Sequence, residues 1–161
     1  MTVREELYRS IKARLERIGI KEDGKLFIYG EDSLPRLFTP AIRHLDLWNR
    51  NVEFIEQEAA WERPAVFVEF APIRWDALVT GVEYRADVAV NLHVVTDWDG
   101  GDGIGEFRLL EIIHEVLAGL EGETFCEFDI RISTTNHDHE EIVENIESYG
   151  CVGFRRLQPR K

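Results

Sequence analysis

The amino-acid sequence predicts an α+β fold, in which two helices pack on one face of a mostly antiparallel β-sheet. Residues 82–96 alternate between apolar and polar side chains, which is typical of a long strand. Apolar residues recur at helical spacing over 3–18 and again after about residue 106. Two further alternating segments within 126–154 indicate a hairpin. With 161 residues, the chain is expected to form a single domain, 1–161.

The first predicted element is an amphipathic helix over about 3–18. Thr2 is its predicted N-cap, with Glu5 three positions later as in a capping box. Gly19 is expected to end the helix. The short apolar run 26–29 then indicates a buried strand or a packed connection. The apolar stripe of the helix contains Leu7, Ile11, Leu15 and Ile18.

Segment 31–63 is predicted to be irregular or to form a hairpin, because turn-forming residues and two prolines occupy its first part. Its second part, 41–63, fits two structures. A stripe at helical spacing favours a helix, whereas the break at 49–51 separates two short apolar-rich runs, as a hairpin would. We favour the extended interpretation. The stripe contains Ala41, Leu45, Trp48, Val52 and Ile55.

A sheet-and-helix core is predicted over 64–156. Residues 66–70 form a strand rich in β-forming side chains, and 82–96 form a long strand with one apolar and one mostly polar face. A second helix is expected from about Glu106 to Gly122, where His114 is predicted to be a core histidine with a hydrogen-bond partner. The predicted buried stripe of this helix contains Phe107, Leu110, Ile113, His114, Leu117 and Leu120.

The final hairpin is expected to pair residue 130 with residue 146, because this register places both apolar sets on one face. The same register puts Cys126 opposite Gly150 and turns Cys151 to the other face, so we expect no disulfide between the two cysteines. Two cysteines in 161 residues also differ from the cysteine usage of disulfide-stabilised secreted domains.

The charge distribution bears on the class of partner. Residues 22–147 carry nine basic and twenty-eight acidic side chains, whereas 1–21 and 148–161 are net basic. Because affinity for nucleic acid comes mainly from neutralised phosphates, a general nucleic-acid binder is not expected. The sequence has no membrane-spanning run and no signal-peptide core, so we expect no membrane partner and a cytoplasmic protein at synthesis.

An Asp-rich loop, 97–105, is a weak candidate for a calcium site, through Asp97, Asp99 and Asp102. It departs from the EF-hand pattern, because Gly101 stands where an oxygen ligand belongs and Arg108 stands where the bidentate glutamate belongs. A strand-to-helix connection is therefore the favoured interpretation.

The turn His137-Asp138-His139 is a weak candidate for a metal or acid–base site. In an extended chain the two histidines point the same way, but two ligands are too few for zinc. His93 or His114 would join them only through an arrangement that the sequence does not define. No nucleophile, phosphate-loop or zinc-protease motif occurs. We therefore expect no metal, no cofactor, no catalytic residue and no enzymatic activity.

The order of several segments resembles small phage or prophage proteins of the tail terminator (tail completion) type. The N-terminal helix is followed by Leu47-Trp48-Asn49 and by RPAVFVEF at 63–70, with Ile73-Arg74-Trp75 directly after it. A long strand ending in VTDW, a helix of the form L-x-x-I-x-x-x-L and the hairpin TTNHDHEEIVENIESYGC complete the pattern. The resemblance covers most of 42–155, and its motifs are structural.

This resemblance implies a structural virion protein with a tail-terminator-like fold, helices on one side of a sheet. Such proteins form a hexameric ring that caps the tail tube and joins the tail to the head. The implied partners are further copies of the chain, the tail tube protein and the head–tail connector protein, while DNA passes through the lumen without specific binding. The implied location is the bacterial cytoplasm during assembly and then the virion tail. A head–tail joining (neck) protein is a further possibility, and a metal-binding or metal-dependent hydrolase domain using Asp97–Asp102 with His137 and His139 is the alternative from another class.

Self-association is also expected from strand length. At about 3.3 Å per residue, 82–96 reaches about 50 Å, so we expect it to project beyond its domain with unpaired edges that a neighbour covers. The glycine-rich residues 100–105 and segment 31–63 are candidate docking surfaces. The candidate interface residues are Trp48, Asn49, Trp61, Trp75 and Trp98.

Overall fold

The structure, a computed structural model, describes residues 1–30, 39–48, 61–97, 104–136 and 142–158, with only the backbone at residues 104 and 105. Within these ranges there are two helices, α1 (Val3–Leu15) and α2 (Ile104–Leu117). The strands, in chain order, are β1 (Ile18–Ile20), β2 (Leu26–Ile28), β3 (Thr39–Pro40), β4 (His44–Leu47), β5 (Ala65–Phe70), β6 (Arg74–Val79), β7 (Glu83–Asp97), β8 (Phe125–Asn136) and β9 (Ile142–Arg156).

A six-stranded sheet dominates the fold, with the order β4-β5-β7-β9-β8 and β6 paired to β7 beside β5. Every pair is antiparallel except β4 with β5, which is parallel. A smaller sheet has the order β2-β1-β3. The predicted α+β fold with a mostly antiparallel sheet is therefore confirmed.

The central strand β7 is paired along most of both sides. On one side, β9 pairs with every residue of β7 from Glu83 to Asp97. On the other side, β6 and β5 together pair with most of β7. The expectation that this strand leaves unpaired edges is therefore wrong, because β6 continues where β5 stops. In the described ranges, the outer edges of the sheet belong to β4, β6 and β8.

The main core lies between the helices and one face of the sheet. On β7 the predicted apolar side chains face this core, and α1 and α2 cover it with a stripe of fully buried residues. Burying one such side chain contributes about 1.5–3 kcal/mol, so this layer supplies most of the driving force. The residues concerned are Ala86, Val88, Val90, Leu92 and Val94 on β7, with Leu7, Ile11, Leu15, Ile113 and Leu117 on the helices.

Helix α1 begins as predicted and ends earlier. The Glu5 backbone N–H donates to Thr2 Oγ1 at 3.2 Å, which confirms the N-cap. The helix stops at Leu15 rather than at residue 18, and Gly19 lies within β1 instead of ending the helix. A Cβ at Gly19 would lie 2.7 Å from the Phe27 ring, so the glycine allows β2 to pack its aromatic side chain against β1.

Helix α2 differs from its prediction at both ends and in its buried side. It begins at Ile104, and the chain leaves it at Gly119, whose φ of +71° is favourable only for glycine, rather than at Gly122. Two apolar stripes overlap in this sequence. The helix buries the one with Leu109, Ile113, Val116 and Leu117, and Leu120 is buried just beyond its end, so Phe107 is 54% exposed. His114 is half-buried, with its ring edge-on to Tyr149.

The register of the last hairpin is shifted from the predicted one. Ile130 lies opposite Tyr149, and Ile146 lies opposite Thr134. Next to the turn, Asn136 lies opposite Glu144, four positions from the predicted register, and two irregularities in β8 reduce the difference to two positions at Cys126. The first irregularity includes Glu127, with φ of +58°. Cys126 therefore lies opposite Val152 rather than Gly150, and both cysteines are free thiols.

Segment 41–63 is extended at residues 44–47. Residues 44–47 form β4, but this strand pairs in parallel with β5. Residues 49–60 lie outside the described part, so the second run of the proposed hairpin is not assigned. No helix within the described ranges is both long and apolar enough to span a membrane.

Candidate functional site

The sheet face opposite the helices carries a polar cluster that is largely buried. His93 on β7 and Glu144 on β9 are each 5% exposed, and Glu69 on β5 is half-buried beside them. Their strands are neighbours in the sheet, with Phe67 opposite His93 and Val95 opposite Glu144. We call these three residues the Glu–His–Glu cluster.

Both ring nitrogens of His93 face carboxylates. Nδ1 lies 2.9 Å from Glu144 Oε2, and Nε2 lies 3.1 Å from Glu69 Oε1. Asn91 Nδ2 also donates to Glu69 Oε1, at 2.9 Å, and Asn136 Nδ2 donates to Glu144 Oε1 at 3.1 Å. Because each carboxylate is an acceptor, the arrangement favours an imidazolium that donates from both nitrogens.

Trp48 covers the imidazole. The two rings are parallel within 6°, with centroids 3.7 Å apart, which is the geometry of a stacked cation–π contact. The Trp48 backbone N–H donates to Val68 O at 2.9 Å and thereby extends the β4–β5 pairing to the tryptophan. Trp48 and Trp61 pack against a second, smaller apolar cluster on this face, formed by Ala65, Phe67, Val95 and Ile142.

The cluster shifts the pKa values of its members. Burial alone would lower the pKa of His93, but hydrogen bonds and charge interactions with Glu144 and Glu69 outweigh it and raise the pKa above 6.5. Burial alone would raise the pKa of Glu69, but hydrogen bonds from Asn91 and His93 outweigh it and hold the pKa below 4.5. The charged forms of both groups therefore stabilise the folded state.

This geometry suits a structural ion cluster. Since both nitrogens of His93 are engaged, the ring has no lone pair for a metal or a substrate proton. The two carboxylates also lie at opposite sides of the ring, so one ion could not contact all three groups. Among the residues that the structure describes, no group of three or more His, Cys, Asp or Glu side chains could hold a metal ion.

The residues singled out in the sequence are dispersed. Asp97 is ion-paired with Arg63. Trp48 and Trp61 are half-buried against the second apolar cluster, and Trp75 is half-buried against the main core. Six further candidates lie outside the described residues, namely Asn49, Trp98, Asp99, Asp102, His137 and His139.

The Glu–His–Glu cluster was not predicted from the sequence. Alternation along β7 placed Asn91 and His93 on its polar face, and the same alternation puts Glu69 on one face of β5. Alternation could therefore have indicated that Glu69, Asn91 and His93 lie on polar strand faces. The contact with Glu144 depends on the register of β9 against β7, which the sequence did not define.

Comparison with protein-family models finds no match to this chain, and comparison with curated proteins finds no significant match. The resemblance to tail terminators therefore stays a prediction from the sequence.

Proposed function

We propose that this chain is a structural protein of a phage or prophage tail, a tail terminator that closes into a ring on the tail tube and joins the tail to the head. The observation that supports this most is the fold. Two helices on one face of a mostly antiparallel sheet is the architecture that the resemblance implies. Since unrelated α+β domains share this layout, the sequence resemblance remains the second support.

The polar cluster supports the same kind of role. Both ring nitrogens of His93 form hydrogen bonds, and Trp48 covers the ring. The histidine therefore links β7 to β5 and to β9. A protein that caps a tube acts through the shape and stability of its surface, for which a sheet fixed on both faces is suited.

The proposal is tested by the state of assembly. We expect light scattering between about 10 µM and 1 mM to show a monomer giving way to one larger species, and electron microscopy of that species to show rings. Mass spectrometry of tail fractions, from particles induced in the strain that encodes the chain, should detect it. A strict monomer throughout, with no ring and no chain in purified particles, would refute the proposal.

A further inference from the structure

β4 is a short strand at the edge of the sheet. Within the described ranges it pairs only with β5, over the four residues His44–Leu47, and its side chains are half-buried or exposed. Before the strand, the Arg43 N–H donates to Pro64 O at 2.8 Å. After it, the Trp48 N–H donates to Val68 O at 2.9 Å. Short edge elements with little buried surface are the parts of a fold that open most readily.

The indole of Trp48 anchors the end of β4 to the middle of the sheet. It extends past β5 and lies flat on the His93 ring of β7, with centroids 3.7 Å apart and planes within 6°. It also meets the Phe67 ring edge-on at 6.2 Å. Because the face of an indole is negative, it attracts an imidazolium more strongly than a neutral imidazole. The charge on His93 therefore strengthens the contact that holds the end of β4.

The charge on His93 depends on pH. Burial lowers its pKa, but the hydrogen bonds and charges of Glu144 and Glu69 outweigh burial and raise the pKa above 6.5. A neutral imidazole has one N–H, so deprotonation leaves a lone pair facing one of the carboxylates. The side chain of Glu69 is 34% exposed and that of Glu144 7%, so we expect the Glu69 contact to break first.

Other ionisable groups also lie against β4. Besides Glu69 and Glu144, the described ones are Arg43, His44 and Asp46 on and beside the strand, Glu62 on the segment before β5, and Tyr8 on α1. Burial and the charge of Asp46 raise the pKa of Tyr8 above 10. Among these residue types, histidine is the one that ordinarily changes charge between pH 5 and 8. A control must therefore replace His44.

We propose that β4 is a pH-controlled strap. When His93 is protonated it holds Trp48 and keeps β4 closed on β5, and when His93 is neutral β4 opens more often. The coupling is reciprocal, so Trp48 must also raise the affinity of His93 for its proton. Opening uncovers the outer edge of β5 and one side of the Phe67 ring. The proposal concerns the isolated chain and does not depend on the proposed function.

The first test measures the pKa of His93 by NMR of its ring protons, in wild type and in Trp48→Leu. Leucine keeps an apolar side chain but removes the indole face, so the pKa should fall, with about a tenfold loss of proton affinity. Entry of water alone would raise the pKa instead, because hydration favours the charged ring. Trp61→Leu is the matched control, since Trp61 stacks on His44 rather than on His93, and it should leave the pKa unchanged. A pKa that rises or stays the same in folded Trp48→Leu would overturn the proposal.

The second test measures the opening of β4 by hydrogen exchange of the backbone amides of Arg43 and Trp48, corrected for intrinsic rates. Between pH 6 and pH 9 their protection should fall about tenfold in wild type, while the amides of β7 stay protected. His44→Gln should show the same fall as wild type. In Trp48→Leu the amides should exchange faster at pH 6, with little further change at pH 9. Protection of β4 that is independent of pH in wild type, or an equal fall in Trp48→Leu, would show that His93 does not control the strap.

Discussion

Replacing His93 with glutamine should remove the cation that two carboxylates share. Glutamine keeps some hydrogen-bonding capacity but leaves Glu144, 5% exposed, without its positive partner. Removing one member of a buried ion pair costs about 3–5 kcal/mol, and the partial exposure of Glu69 reduces the effect. We therefore expect a loss of about 3 kcal/mol in the free energy of unfolding, which for a chain of this length lowers Tm by about 6–12 °C.

The free energy of unfolding that His93→Gln removes should be larger at low pH than at high pH. The pKa of His93 is raised above 6.5, so its contribution is complete below 6.5 and disappears as pH rises through the folded-state pKa. The pKa of Glu69 is lowered below 4.5, so its contribution is complete above 4.5 and disappears as pH falls through the folded-state pKa. The cluster is therefore most stabilising between about 4.5 and 6.5, and His93→Gln should cost more at pH 6 than at pH 9.

Urea unfolding of wild type and variant at both pH values measures this difference. His44→Gln is the matched control, since His44 is half-buried on β4 and lies 4.0 Å from the exposed carboxylate of Asp46. That pair should contribute less than about 1 kcal/mol. Adding Glu144→Gln to His93→Gln should recover part of the loss, because it removes the unpaired charge. A His93→Gln loss below about 0.5 kcal/mol at pH 6, or one equal at both pH values, would refute the assignment of a buried imidazolium.

Three smaller predictions concern the rest of the fold. Gly153→Ala should lower the free energy of unfolding, measured in urea, by about 1–3 kcal/mol, because the new Cβ would lie 2.9 Å from Val88 Cγ2 and 3.2 Å from Val3 Cγ2. Gly24→Ala is the control: its Cβ would meet open space, so only the strain of its φ of +84° should lower stability. Thr2→Ala removes the acceptor of the α1 cap and should lower stability by about 1 kcal/mol, measured by thermal melting. Burial raises the pKa of the Cys151 thiol to about 12, so a thiol reagent at pH 8 should modify it only after unfolding; rapid modification of the native protein would contradict this.

The sequence defined the long elements well because their patterns are long. β7 alternates over fifteen residues and α1 repeats its stripe over three turns, so single exceptions do not obscure either pattern. β1 and β3 have three and two residues, too few for any period to appear. Their pairing, and the parallel pairing of β4, come from contacts between distant parts of the chain.

The site was harder to predict because its members come from three strands. Alternation assigns a side chain to a face of its own strand, but which residues meet across strands depends on register. In the last hairpin, the pair next to the turn, Asn136 with Glu144, lies four positions from the predicted register, and the irregularity at Glu127 changes the offset along β8. Slips of two or four residues keep the same side chains on the same face, so hydrophobic alternation does not distinguish these registers, and this is why the predicted hairpin register failed.

The Glu–His–Glu cluster also favours one register of β5 against β7, which the apolar residues alone do not define. Toward the helices, β5 places Val66, Val68 and Phe70 against the apolar side chains of β7. A slip of two residues, about 6.6 Å, would keep apolar side chains against apolar ones, because side chains alternate with a period of two. On the opposite face, a slip of two residues toward the start of β7 would place Glu69 opposite Ala89 and farther from His93. Since the hydrogen bond between His93 Nε2 and Glu69 Oε1 would then be lost, the polar face disfavours a slip in this direction, which the apolar face would accept.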